Sequence, residues 1–121
     1  QQSTPTSLGR ALERLVRGGD APTALLVPTP HHFLFAHTWL QQRGLAVARD
    51  ISLVCPDDDP FLAYVHPAPT RYLFDAHAFA GRLFRLVQRV IEGEVIAKPA
   101  QRVMPEYVRG ESLAAPGPKA P

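Results

Sequence analysis

Leucine and valine recur at helical spacing near the start of the chain, at Leu8, Leu12, Leu15 and Val16, and predict an amphipathic helix. Ser7 is placed to cap it; it runs to about Arg17, and Gly18-Gly19 stop it. The next apolar block, Thr23–Val27, is too short for a helix and reads as a buried strand introduced by Pro22. Thr29-Pro30 opens a second helix, because proline suits a first turn in which no amide donor is needed. That helix continues through Trp39 and Leu40 to a stop at Gly44, and Ala46–Arg49 lead into a second strand, Ile51–Val54. Helix, strand, helix, strand is the order of a parallel α/β sheet, with the second helix as a right-handed crossover.

Past Asp57, Asp58 and Asp59 the pattern changes. Phe61–Val65 has room for one or two turns, and His66-Pro67-Ala68-Pro69 must be extended, since residues before proline avoid helical angles. Arg71–Phe74 reads as a short strand. Asp75 caps a long helix to about Ile91, with Phe79, Leu83, Leu86, Val87, Val90 and Ile91 on one stripe and Gly93 at its end. Gln101–Met104 and Tyr107–Val108 alternate like strands around Pro105, and residues 113–121, rich in alanine and proline, read as a disordered tail. The fold class expected is α/β, a Rossmann-like parallel sheet flanked by helices.

Composition narrows the function. A chain of 121 residues holds one domain and one core. The net charge of +2 comes from 13 basic and 11 acidic residues spread widely, so no cationic run marks a nucleic-acid surface. A single cysteine, Cys55, excludes an internal disulfide and, at the end of an apolar strand, reads as a buried structural thiol. No apolar stretch approaches the ~18 residues of a membrane span. The opening QQSTPTSLGR lacks a signal-peptide pattern, so the chain is cytoplasmic or a piece of something longer.

The chemistry concentrates in the acidic loop. In open α/β sheets ligands sit outside the carboxyl ends of strands, where the run Ile51–Val54 delivers Asp57, Asp58 and Asp59. Three readings stand: a ligand carboxylate, a helix cap by Asp58 or Asp59 for the turn at Phe61, or a magnesium site, for which a phosphate-binding partner motif is missing. His31, His32 and His37 lie at separations of one, five and six, not the four that stacks two metal ligands on a helix face. No zinc site or other cofactor is expected. Neither a nucleophile–base pair nor a phosphate-cradling glycine loop is present, so no catalysis is implied.

Five phrases in register carry a family resemblance. PTALLV at 22–27, HTWLQQRGLAVARDISLVCPDDDP at 37–60, AYVHPAPTRY at 63–72, AGRLFRLVQRVIEGE at 80–94 and MPEYVRGES at 104–112 resemble the C-terminal part of the effector-binding region of LacI/GalR-type bacterial transcriptional repressors. The resemblance runs from about Leu8 to Ser112. It implies a periplasmic-binding-protein-like pair of subdomains clasping a small, sugar-like effector. Residues 7–65 would belong to one subdomain, the helix at 75–92 to the other, and the stretches around 70–74 and 104–108 would cross between them. It also implies a homodimer that meets DNA only through an N-terminal helix-turn-helix headpiece absent from these residues. On that template the chain is a fragment, and its 75–92 helix must find another surface, by rearranged packing or in a dimer.

The same resemblance assigns residues. Asp57 takes the place of the acid that accepts hydrogen bonds from effector hydroxyls, which suits an acceptor-only carboxylate. Thr29, His31, His32 and Pro56 line the same cleft. Leu34, Phe35, Phe61, Leu62, Tyr64 and Val65 fall in the helix and turn that the family uses for dimerisation. Two departures matter. Pro28-Thr29-Pro30 stands where the family has Ala-Asn-Asp, and Cys55-Pro56 where it has glycine and an aromatic. The usual polar partners across the cleft are thus removed, leaving either a different ligand or a degenerate site. A periplasmic-type sugar-binding protein and a small magnesium-dependent α/β enzyme are the alternatives.

Overall fold

The computed structural model describes residues 4–96 and 102–116. Helix α1 (Pro5–Arg17) begins one turn before the expected cap. Thr4, not Ser7, is the N-cap: its hydroxyl accepts from the Ser7 amide while the Ser7 hydroxyl accepts from the Thr4 amide. This reciprocal box satisfies two otherwise orphaned donors, with Pro5 in the first turn. Strand β1 (Ala24–Leu26) follows, then α2 (Pro30–Gln42), capped by the Thr29 hydroxyl on the His32 amide. Strand β2 (Ser52–Cys55) starts one residue later than its apolar run, because Ile51 is held in an isolated bridge to Val47. A short 3-10 helix (Pro60–Tyr64), β3 (Thr70–Leu73), α3 (Ala76–Ile91, capped by Asp75) and β4 (Glu106–Val108) complete the order.

The strands form one sheet in the order β1-β2-β3-β4. β1, β2 and β3 run parallel and β4 runs antiparallel to β3. Cys55, the last residue of β2, pairs with Arg71, so β3 and β4 extend beyond the carboxyl end of β2. Helices α1 and α2 pack on each other, where Gly9 lets the rings of Phe35 and Trp39 approach. The Arg43 guanidinium lies 3.6 Å from the Trp39 ring centroid and pairs with Glu13, which also holds Arg17. The core gathers Leu12 from α1, Phe33, Ala36, Trp39 and Leu40 from α2, Leu53 and Cys55 from β2, and Leu62 from the 3-10 helix.

One expectation is corrected and two are narrowed. Residues 102–105 are not a strand; Pro105 interrupts the alternation and pairing begins only at Glu106, while Gln101 lies outside the described residues. The chain beyond Ser112 is not loose from its start. Ser112 is fully buried, its carbonyl accepts from the Leu53 amide, and Ala114 exchanges hydrogen bonds with the Ser52 hydroxyl in both directions. Residues 117–121 of the expected tail lie outside the described residues. Helix α3 has not repacked: none of its residues is buried, and Phe79, Leu83, Phe84, Val87, Val90 and Ile91 are 41–78% exposed.

His37 gives the core a pH dependence. Its Nε2 atom is buried without a hydrogen-bond partner among the described residues, and burial holds the imidazole below its ordinary 6.5 against the opposing pull of the His66 backbone. The unfolded chain therefore binds this proton more readily. Stability is whole above about pH 6.5 and falls as the pH drops through that value toward the lower folded one. Urea midpoints measured at about pH 7.5 and 5.5 should fall on acidification, and fall less in His37→Leu.

Candidate functional site at the carboxyl edge of the sheet

The carboxyl ends of β1 and β2 are adjacent because their registers match residue for residue, Ala24 with Ser52 through Leu26 with Val54. The chain leaving β1 reaches Thr29, and the chain leaving β2 reaches Pro56 and the three aspartates, so both loops open on the same edge. Pro28, Thr29, His31, Pro56 and Asp57 are exposed there, and His32 is partly so. The Thr29 oxygen is already engaged as the α2 cap, which leaves its hydroxyl proton to offer. Pro30 is buried in the first turn and offers no donor.

The aspartates divide into three roles. Asp59 caps the 3-10 helix, its carboxylate accepting from the Phe61 amide at 3.2 Å. Asp58 Oδ1 lies 2.6 Å from Arg71 Nε; both atoms are sealed from solvent, and among the described residues the contact is an ion pair without hydrogen-bond geometry. Asp57 accepts from the Asp58 amide at 2.9 Å through one oxygen and is otherwise open to solvent, with no cation against it among the described residues. The cap reading is thus realised at Asp59, while Asp57 stays an open carboxylate. For the magnesium reading, no three His, Cys, Asp or Glu side chains among the described residues converge as a metal would need.

An aromatic wall borders the carboxylate. His31, at the start of α2, packs its ring against Phe61 with centroids 5.5 Å apart and planes at 59°. Behind the edge, Cys55 is fully buried, and burial pushes its thiol up, with the Asp57 backbone opposing. It is a structural thiol, as its apolar setting in the sequence implies.

Of the residues assigned to a dimer surface, Leu34 and Tyr64 are exposed, the latter by 90%, whereas Phe35, Phe61 and Val65 are partly buried against the core. Leu62 must be removed from that set. The three-residue turn of a 3-10 helix puts it on the core-facing side together with Val65, and it is fully buried in the core. The residue missed from the sequence is Arg71. Its only local signal is an arginine inside an otherwise apolar extended stretch, and its partner lies thirteen residues back. A cleft of about 750 Å3 lies elsewhere, between the far end of β3 and β4 and the flank of α3, lined by Phe74, Ala78, Arg82 and Met104 among others.

Residues 2–113 match the family model of the periplasmic binding protein-like domain. The chain belongs to that family. Solved structures similar to this periplasmic binding protein-like chain include a LacI family transcriptional regulator from Bifidobacterium animalis subsp. lactis, with a TM-score of 0.82 and 24% identity over 97% of this chain and 43% of that one. The lac repressor dimer bound to operator and the anti-inducer ONPF superposes with a TM-score of 0.78 and 23% identity, over 93% of this chain and 39% of the repressor. A sugar-binding LacI family regulator from Escherichia coli, complexed with phosphate, gives 0.76 and 24%, over 95% and 41%. These likenesses show the fold, and it is the one that the sequence phrases imply. The chain spans about two fifths of the length of these structures. No curated protein matches it. No helix among the described residues is long and apolar enough to cross a membrane.

Proposed function

We propose that this periplasmic binding protein-like chain is an effector-sensing and self-associating part of a LacI-type transcriptional regulator. The observation that carries the reading is Asp57. Of three consecutive carboxylates, it alone is left open at the carboxyl edge of a sheet whose fold is shared with such regulators. An open carboxylate beside the Thr29 hydroxyl proton and the His31–Phe61 wall suits a polyhydroxylated, sugar-like molecule, with hydroxyl donors on Asp57 and a ring face on the aromatics. Binding would bias the opening of this lobe against a second one, and operator contact would fall to a helix-turn-helix headpiece that these residues do not contain. The protein would act in the cytoplasm.

A second copy of the chain is the partner that its exposed apolar surfaces fit. The six exposed side chains of α3 are 41–78% accessible, roughly 600 Å2 of surface at ~180 Å2 for each large apolar side chain. Phe74 and Met104 border them and bring the patch toward the ~800 Å2 per partner of a standard interface. Leu34 and Tyr64 offer a smaller patch on α2 and the 3-10 helix.

The effector reading is tested by thermal-shift and calorimetric titration of the full chain with a panel of aldoses and disaccharides. At least one should bind at millimolar strength, as expected for half a cleft, and Asp57→Asn should weaken it at least tenfold while Asp20→Asn leaves it unchanged. Binding that is indifferent to Asp57→Asn would sink the reading.

A further inference from the structure

The ion pair between β3 and the acidic loop has a part that the effector reading leaves out. Arg71 sits beside the last residue of β2, paired with Cys55, and so lies at the level where the loop leaves the sheet. Its neighbour Thr70 is fully buried, with its amide held by the Ser112 hydroxyl and its own hydroxyl holding the Gly110 amide. Alternation along the strand sends Arg71 to the opposite face. There Nε meets Asp58 Oδ1 at 2.6 Å, and Nη1 reaches back toward the Pro69 carbonyl at 3.5 Å. Both side chains are less than a third exposed, so solvent screens the pair only weakly.

Three acids in sequence, Asp57, Asp58 and Asp59, would otherwise concentrate negative charge at one edge and draw in any available cation. We infer that Arg71 is the built-in counter-ion and positioning residue of this edge. It holds Asp58 down against β3, so that Asp57 alone faces the ligand and the loop selects neutral hydroxyl donors over free cations. The inference rests on the effector reading for what Asp57 does, but not for what Arg71 does. It also ties the loop to β3, the strand that continues past β2 and leads into α3.

The test uses the full chain and Mn2+ alone, followed by paramagnetic broadening of the Asp57–Asp59 amide signals. A unit charge about 6 Å from a divalent ion in water changes its affinity by about tenfold. Arg71→Gln should therefore bind Mn2+ at the loop about tenfold more tightly than wild type, and Arg71→Lys, which keeps the charge, should stay near wild type. A folded Arg71→Gln chain that binds Mn2+ no more tightly than wild type overturns the inference. Should Arg71→Gln fail to fold, exchange of the Arg71 Nε proton decides: it should quicken at least tenfold in Asp58→Asn, and an unchanged rate overturns the inference equally. Gain of Mn2+ binding in a chain that takes no sugar would leave Arg71 in its role and reject the sugar reading alone.

Discussion

Gly110→Ala is expected to remove most of the stability of this chain. A Cβ at Gly110 would stand 2.3 Å from the Ala68 carbonyl oxygen, 2.4 Å from the Pro69 carbonyl carbon and 2.5 Å from the Pro69 oxygen. All three are backbone atoms, so no change of rotamer relieves the clash and the strap of residues 110–114 must move. That strap is bonded throughout. The Gly110 amide donates to Thr70 Oγ1, and the Glu111 and Ser112 amides both donate to the Ala68 carbonyl. The Ser112 hydroxyl donates to the Leu53 carbonyl at 2.6 Å and accepts from the Thr70 amide at 2.8 Å. Displacing it leaves buried donors and acceptors on β2 and β3 unpaired at ~1–3 kcal/mol each, against a total stability of about 5–15 kcal/mol. The variant should unfold at a far lower denaturant midpoint or fail to fold. Gly19→Ala, where nothing lies within 4 Å, should stay within about 0.5 kcal/mol of wild type. Equal midpoints for the two variants would mean that the strap is not seated as described.

The second large effect concerns association. Sedimentation of the chain at micromolar concentration should show a dimer, because an α3 face of Phe79, Leu83, Phe84, Val87, Val90 and Ile91 left in water forgoes about 25 cal/mol per Å2. Helical geometry puts Arg82, Arg85 and Arg89 together on the side of α3 turned away from that face, and among the described residues only Arg89 has an acidic partner, Glu94. The arginines therefore stay clear of an apolar seam between two copies of α3, and the dimer should depend little on salt. Leu83→Asp with Val87→Asp should give a monomer, while Leu34→Asp with Tyr64→Asp should leave most of the dimer intact. A wild-type chain that remains monomeric and folded, with α3 exposed, would contradict this assignment.

The parallel sheet was legible because apolar runs of four or five residues alternate with helical periodicity between proline and glycine stops, and those are local signals. Thr29, Asp59 and Asp75 as caps were legible for the same reason: each bonds an amide two or three residues ahead. Thr4 carries the same Thr-Pro signature as Thr29, three residues before the Ser7 that stands nearest the first leucine. Non-local pairings were hidden. Nothing near Ser112 announces that it will seal β2 against β3 across 59 and 42 residues of chain, and nothing near Asp58 announces Arg71. Leu62 misled for a different reason. In so short a turn the period of three, rather than hydrophobicity, decides which side chain goes inward. At the candidate site, the family phrases singled out Asp57 among the three acids; the structure gives Asp58 and Asp59 their own partners and leaves Asp57 exposed.

The central claim is that a small polyhydroxylated molecule lands on the carboxyl edge at Asp57. Amide chemical-shift mapping of the full chain during titration with the sugar panel tests it most directly. Shifts should be confined to Thr29, His31, His32, Asp57–Asp59 and Phe61, and be absent in Asp57→Asn. Shifts centred instead on Phe74, Ala78, Arg82 and Met104, around the 750 Å3 cleft beside α3, would contradict it.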